Sequence, residues 1–330
     1  MTPSPTTHKM LSPKSPLFLS LFLALLLPFS TVVTALKLAA ELTTIEYTAE
    51  LIAAKDYFHN GTATFTTGGV ATIVQDKSID LASNAETQAL RQFATHKNLR
   101  IIYTVSEVAY RLVARKKSAV TTAQDLKGKK IGTFPGTSGA YFVQKYLASV
   151  GLKPADYTVV SGSVCRAAPC GSGTLPAMLA SGAVDAVGLW EPTMQLAIDA
   201  VGAGNVVVFQ DKSVYRELFN LHSTTEKLQD AKTRAQIVAF VRALAQAQKV
   251  FAAQPETIWS RVAAAVNVSA DVVKAVWPVH GWTGGLPADL LDVLVAEDQW
   301  VAAVDRRAAM SRAVLADLVD GSVLKEALQG

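Results

Sequence analysis

Two short segments of the sequence place polar groups where they could hold a small molecule. The turn Gly136-Thr137-Ser138 lies between a predicted strand and a predicted helix. The first N–H groups of a helix have no partner within the helix, and its N-terminus carries about half a positive charge, so this turn suits an anion or a polar head group. Trp190 and Glu191 end a second predicted strand and add a ring and a carboxylate. The two segments together predict a binding site.

Motifs that would indicate catalysis are missing from the sequence. It contains no G-x-x-x-x-G-K-[ST], no H-E-x-x-H and no G-x-S-x-G. The histidines are scattered, and no two have metal-ligand spacing; they are His8, His59, His96, His222 and His280. We therefore expect a protein that binds without turnover and has no catalytic residue, no metal and no cofactor.

Composition places the chain among globular proteins. Half of its 330 residues are hydrophobic and 18% are charged, which is enough apolar material for one large domain or two moderate ones. The formal net charge of +4 includes Lys9 and Lys14, and without them it is +2, spread along the chain. This charge gives no reason to expect nucleic acid as a partner.

The first 35 residues have the layout of a secretory signal peptide. Lysines precede an apolar core at 17–29, which is shorter than the roughly 20 residues of a membrane span. Small residues at 31–35 suit a cleavage site, so we expect cleavage near Ala35. The mature chain is expected to be soluble and exported, either extracellular or periplasmic.

Cysteine usage agrees with export. Cys165 and Cys170 lie in a turn-rich segment where their side chains could meet, and an oxidising compartment would join them in a disulfide. Asn60 and Asn267 begin N-x-[ST] triplets, which would accept glycans if export runs through an endoplasmic reticulum.

Strand and helix patterns alternate along the chain, which predicts an α/β architecture with a largely parallel sheet. Predicted strands cover 36–42, 63–67, 79–82, 99–105, 112–114, 130–133, 157–160, 183–189 and 206–209. From about Thr233 the pattern is helical, with a stripe of apolar residues through Ile237, Val241, Leu244 and Phe251 that predicts a buried face.

Several of these segments together resemble the exported substrate-binding proteins of the nitrate/sulfonate/taurine type, which share their fold with the fungal thiamine-pyrimidine precursor proteins. The segments are 80–90, 125–131, 136–138, 182–192 and an expected helical tail around 209–220. The D-L-x-G-K-x-I and G-x-V-D-A-x-x-x-W-E-P elements are the most specific. The resemblance covers the chain from about Leu36 to its end.

The resemblance implies a type II periplasmic-binding-protein fold, in which two α/β lobes close on a ligand by hinge motion. Residues 1–35 would be the signal peptide, 36–117 the first part of lobe 1, 118–209 lobe 2, and 210–330 the return to lobe 1 with C-terminal helices. The ligand would be a small polar molecule resembling a sulfonate, an amino acid or a pyrimidine. The protein would be a monomer, with a membrane importer as its partner if it is bacterial.

The resemblance also assigns a binding site. Its residues are Thr43, Thr44, Thr67, Gly68, Gly69, Asn84, Ala85, Glu86, Gly136, Thr137, Ser138, Trp190 and Glu191. Some have a purely structural alternative: Thr137, Ser138, Asn84 and Glu86 could serve only as helix starts, and Glu191 could lie in an exposed turn. Helix N-termini favour an anionic head and Glu191 an amine, so a zwitterion such as an amino-sulfonate would satisfy both, with a neutral heterocycle next.

One segment departs from the family pattern. The cysteine-bearing stretch 163–173 is interpreted as an insertion that either covers the cleft mouth, carrying Arg166 towards it, or decorates the surface. We expect decoration.

Two other functions compete with ligand capture. A pyrimidine-precursor synthase would carry a cysteine-dense motif and would have no leader. This chain lacks such a motif, and its first residues have the layout of a leader. A secreted interaction protein that has lost ligand capture is compatible with the sequence.

Overall fold

The computed structural model describes residues 1–7 and 35–329. Residues 1–7 contain no helix or strand, and the first strand begins at Leu36. The apolar core and the cleavage region of the predicted signal peptide lie outside the described residues, except for Ala35.

The described chain alternates strands and helices. The strands are β1 Leu36–Ala40, β2 Ala63–Thr67, β3 Leu81–Ala85, β4 Leu99–Val108, β5 Arg111–Arg115, β6 Lys130–Thr133, β7 Thr158–Ser161, β8 Ala186–Leu189, β9 Val206–Phe209, β10 Glu217–Thr224 and β11 His280–Gly281. The helices are α1 Thr48–Asp56, α2 Val70–Gln75, α3 Glu86–Thr95, α4 Ser138–Ser149, α5 Leu175–Ser181, α6 Thr193–Val201, α7 Thr225–Gln229, α8 Ala231–Ala253, α9 Trp259–Val266, α10 Ala270–Val276, α11 Leu290–Val304, α12 Arg312–Ala316 and α13 Ser322–Leu328.

The strands form two sheets, in the orders β11-β4-β10-β3-β1-β2 and β7-β6-β8-β5-β9. This confirms the predicted α/β class, but the expectation of a largely parallel arrangement is wrong. β10 runs antiparallel to β3 and β4, and β5 runs antiparallel to β8 and β9. Both sheets are mixed because these are the strands by which the chain enters each sheet from the other one.

Two adjacent segments carry the chain between the sheets. The first runs from Val108 to Arg111, and the second from Phe209 to Glu217. The side-chain amide of Gln210 donates to the carbonyl of Ala109 over 2.6 Å, which joins the two segments. The first change of sheet thus comes before β5, whereas the lobe boundary was expected after residue 117; the division into lobes stays a prediction.

The segment 209–220, expected to be helical, contains the end of β9 and the start of β10. All eight residues of β10 are buried, although five of them are polar. Neighbouring strands supply their partners: Asn220 Oδ1 accepts from Thr104 Oγ1 over 2.7 Å, and a ring nitrogen of His222 lies 3.1 Å from the carbonyl oxygen of Ala82. Because residues of other strands supply these partners, polar side chains can be buried in this central strand. Its sequence therefore lacks the apolar run that would predict a buried strand.

The C-terminal helices pack mainly on the first sheet. The apolar stripe of α8 is buried as predicted, and Asp230 caps this helix by accepting from the N–H of Thr233 over 2.8 Å. Among the described residues no single helix is long and apolar enough to cross a membrane. Trp259–Val266 and Ala270–Val279, bent by 108°, pass such a test only when they are counted together.

Candidate functional site

A cavity of about 270 Å³ opens where loops of the two sheets face each other. Loops at the carboxyl ends of β1, β3, β6 and β8 form most of its wall, as expected for ligand sites in α/β folds. Its lining residues are Glu41, Thr43, Thr44, Glu46, Asn84, Ala85, Gln88, Phe134, Thr137, Ser138, Val164, Arg166, Trp190, Pro192, Glu217 and Phe219.

The structure brings about half of the predicted site residues to this cavity. Those lining it are Thr43, Thr44, Asn84, Ala85, Thr137, Ser138 and Trp190. The other predicted residues do not line it: Thr67, Gly68, Gly69, Glu86, Gly136 and Glu191.

Two hydroxyl groups mark the start of α4. Thr137 Oγ1 donates to the carbonyl of Phe134 over 2.6 Å, and Ser138 Oγ lies 3.0 Å from the buried hydroxyl of Tyr110. Neither hydroxyl caps the helix. These two hydroxyls therefore leave the N–H groups of the first turn of α4 open to a ligand.

Asn84 and Glu86 flank the start of α3 but have different surroundings. Asn84 lines the cavity, and its Oδ1 accepts from the N–H of Ala85 over 2.8 Å. Glu86 is completely buried and accepts from the N–H of Leu218 in β10 over 3.0 Å. Burial raises the pKa of Glu86, which lies beside the equally buried Glu297. Glu86 thus supports the strand behind the cavity.

Of the two glycines after β2, Gly69 allows a close approach of another loop, whereas Gly68 lies against Thr72 of the following helix. A Cβ atom on Gly69 would lie 2.4 Å from Asn84 Nδ2 and 3.3 Å from the carbonyl oxygen of Ser83. A side chain there would displace Asn84, so Gly69 positions a residue of the cavity wall. Gly136 has a similarly indirect place, because its carbonyl accepts from the guanidinium of Arg91.

Glu191 was expected in the pocket and is instead bonded within the second sheet. Its Oε1 accepts from Arg111 Nε over 2.6 Å, and its Oε2 accepts from the N–H of Gln195 over 3.0 Å. Both oxygens therefore have partners, and the side chain is only 2% exposed. The preceding Trp190 does reach the cavity, where its ring packs against Phe134 at a centroid distance of 6.4 Å.

Two carboxylates of the cavity, Glu46 and Glu217, were missed by sequence reasoning. Both are almost fully buried, at 1% and 4% exposed. Burial and the nearby charges of Glu46 and Glu86 raise the pKa of Glu217 well above its usual range. Glu46 lies two residues beyond Thr44 and could have been found by extending that loop, whereas Glu217 fell in the segment misread as helical.

The disulfide segment forms one edge of the cavity. Cys165 and Cys170 are joined as predicted, and the flanking Val164 and Arg166 line the cavity. Arg166 Nη2 lies 3.7 Å from Glu41 Oε1 on the opposite side. The expectation that this segment only decorates the surface is therefore wrong, because two of its residues line the cavity.

Among the described residues, no group of three or more His, Cys, Asp or Glu side chains is arranged to hold a metal ion.

The two N-x-[ST] triplets are accessible, since Asn60 and Asn267 are both exposed. Their glycosylation stays a prediction.

Comparisons with known proteins agree on family and fold. The family model described as NMT1/THI5 like matches residues 65–258, which is more than half of the chain. No curated protein matches at the sequence level.

Three solved structures illustrate the likeness in fold. The alkanesulfonate-binding protein SsuA from Xanthomonas axonopodis pv. citri, bound to MOPS, is 18% identical with a TM-score of 0.64, over 87% of this chain and 98% of that one. The periplasmic aliphatic sulphonate binding protein SsuA from Escherichia coli is 16% identical with a TM-score of 0.66, over 87% and 92%. A mutant of DszB in complex with biphenyl-2-sulfinic acid is 17% identical with a TM-score of 0.64, over 90% and 99%. At these identities the likeness shows the fold, which is that of periplasmic binding proteins.

Proposed function

Because the chain belongs to the NMT1/THI5-like family, we propose that it is a solute-binding protein that captures a small polar molecule in the cleft between its two sheets. One observation carries the proposal: polar groups from both sheets converge on a single cavity that also has an aromatic wall. The starts of α3 and α4 supply N–H groups, while Glu46 and Glu217 supply carboxylates. The ligand-contacting residues are then the seven predicted ones that line the cavity, joined by these two glutamates.

Capture requires that the cleft open and close, and we propose that it does so about the two segments that connect the sheets. Contacts across the cleft would break on opening. Trp300 Nε1 in α11 donates to Gln144 Oε1 in α4 over 3.1 Å, and Arg91 in α3 donates to the carbonyl of Gly136. The paired connecting segments are a natural place for a hinge, since they are short and linked to each other.

The proposed role is binding without turnover. The same fold carries the desulfurization enzyme DszB, so the fold is compatible with both functions. In this chain the two cysteines are joined to each other, which leaves no thiol nucleophile. We further propose export as a soluble monomer, with a membrane importer as partner in a bacterial host, in keeping with the periplasmic sulfonate-binding relatives.

A screen by thermal unfolding tests the proposal directly. Sulfonates, nitrate, amino acids and pyrimidines would each be added to the purified protein. A ligand at 100 times its dissociation constant should raise stability by about 2.7 kcal/mol, which is readily measured. Thr137→Val should weaken binding of a hit about tenfold, since it removes a hydroxyl from the cavity wall.

Thr158→Val is the matched control, because Thr158 is exposed on the edge strand β7, away from the cavity. If no compound of the screen stabilises the protein, capture is contradicted and a secreted interaction protein becomes the better interpretation.

A further inference from the structure

The charges that line the cavity are unevenly matched. Arg166 faces Glu41 at 3.7 Å, and Arg166 is 56% exposed at the cavity edge. Deeper in the cavity lie Glu46 and Glu217, and the described residues include no lysine or arginine ion-paired with either of them. The inner wall therefore presents two carboxyl groups, and the basic side chain in ion-pair geometry with one of them, Glu46, is that of His280.

His280 does not supply the missing donor to Glu46. Its Nδ1 lies 2.9 Å from the carbonyl oxygen of Val276, and because a carbonyl can only accept, this nitrogen carries a proton. The other ring nitrogen, Nε2, lies 3.7 Å from Glu46 Oε1, which is beyond hydrogen-bond distance. Stacking on Trp282, with ring planes 7° apart, holds the imidazole in this orientation.

Glu46 is consequently a buried group with an unused acceptor. Its Oε2 is buried and has no hydrogen-bond partner, and neither has His280 Nε2. A buried carboxylate oxygen without a donor costs free energy, and a ligand that supplies a donor recovers it. A cation recovers more than a neutral donor, because hydrogen bonds to charged groups are stronger.

The wall contributed by the second sheet suits the remainder of such a ligand. Trp190 and Phe134 present aromatic rings to the cavity, and Phe134 is 40% exposed. Aromatic faces attract cations and pack well against apolar or aromatic bodies.

We infer that the captured solute carries a protonated amine or amidine, which lies against Glu46 and Glu217 with the rest of the molecule against Trp190 and Phe134. The inference rests on the proposed function and adds the charge of the ligand. It differs from the expectation for an alkanesulfonate, whose oxygens would bring further acceptors to a wall that already has an unpartnered carboxyl oxygen.

Three probes that share one body separate charge from shape. Benzylamine is cationic, benzyl alcohol is neutral and phenylmethanesulfonate is anionic. Calorimetric titration of the purified protein expressed from the full chain should give benzylamine at least tenfold tighter binding than the other two. If the alcohol or the sulfonate binds as tightly as the amine, the inference is overturned while solute capture stands. If none of the three and no compound of the wider screen binds, the proposed function fails and the inference with it.

Variants identify the group responsible. Glu46→Gln and Glu217→Gln should each reduce benzylamine affinity about tenfold or more and leave benzyl alcohol affinity unchanged. Glu256→Gln, which alters an exposed carboxylate outside the cavity, should change neither.

The unfolding temperature of the ligand-free variants shows whether a loss of affinity is caused by misfolding. Glu46→Gln replaces a buried carboxyl group whose Oε2 has no hydrogen-bond partner, so the unfolding temperature of the ligand-free protein should stay level or rise while amine affinity falls. If amine affinity is unchanged in both cavity variants, the ammonium group does not lie against these glutamates and the inference is wrong.

Discussion

The two sides of the cleft differ in whether a buried glutamate has hydrogen-bond partners. On the second sheet, Glu191 has both oxygens occupied, by Arg111 and by the N–H of Gln195. On the first-sheet side, Glu46 is as deeply buried, yet its Oε2 has no hydrogen-bond partner. A partnered carboxylate serves the stability of the fold, whereas an unpartnered carboxyl group is a cost that a proton or a ligand can offset.

This difference separates stability from affinity within one site. Changes on the second-sheet side should lower the free energy of unfolding, and changes to Glu46 and Glu217 should lower affinity with little loss of stability. Four experiments can break or sharpen that division.

The largest effect is expected from Arg111→Met. The variant leaves Glu191 buried and unpaired, which should lower the free energy of unfolding by about 3–5 kcal/mol. Denaturant unfolding measures the change. Arg115→Met on the same strand is the control, and because Arg115 is less buried it should cost less than about 1 kcal/mol. If both variants lower the free energy of unfolding by the same amount, the ion pair between Arg111 and Glu191 does not contribute more to stability than an ordinary arginine of this strand.

A pH titration of stability tests the unpaired carboxyls of the first-sheet side. Burial raises the pKa of Glu50 in α1 from 4.5 to about 8, against a smaller lowering by its hydrogen bond from Ser83. Between these values the folded state holds a proton that the unfolded chain has lost. Stability should therefore fall as pH rises through this window, by up to about 1.4 kcal/mol per pH unit for this group.

Glu50→Gln should remove the contribution of Glu50 to the dependence of the free energy of unfolding on pH. Glu256→Gln should leave this dependence unchanged. The free energy of unfolding measured in buffers from pH 5 to pH 8 decides between them. An unchanged slope in Glu50→Gln would mean that Glu50 is ionised in the folded protein.

The disulfide should contribute a smaller amount. Its loop is short, with a sequence separation of 5, so chain entropy predicts a loss of about 2 kcal/mol when both cysteines become serine. Because Val164 and Arg166 line the cavity, ligand affinity should fall as well. If the double variant is less stable but binds the ligand with unchanged affinity, the disulfide segment does not contribute to ligand binding.

The smallest effect is expected from Arg166→Gln. The pair with Glu41 spans 3.7 Å and is largely exposed, so its loss should change the free energy of unfolding by less than about 1 kcal/mol. The change should shrink further at high salt. A large loss of stability that persists in salt would mean that this edge of the cleft is as firmly bonded as the Arg111 pair.

The sequence by itself determined the α/β class, the family and the positions of most elements. Strand patterns such as 63–67 and 130–133 coincide with β2 and β6, because short apolar or β-branched runs between turn residues need little tertiary context. The helix-start loops at Asn84 and Thr137 were found for the same reason, since turn chemistry is local. The disulfide followed from the spacing of its cysteines and the leader.

Only the tertiary structure decided which polar groups face the cavity. Glu191 and Glu217 are both glutamates at the ends of strands, and their local sequences do not show which of them faces the cavity. Arg111, distant in sequence, bonds the first and keeps it from the cavity, while the return of the chain through β10 brings the second into it. A carboxylate's role depends on whether a cation or a donor reaches it, and that is set by strand order and not by local pattern.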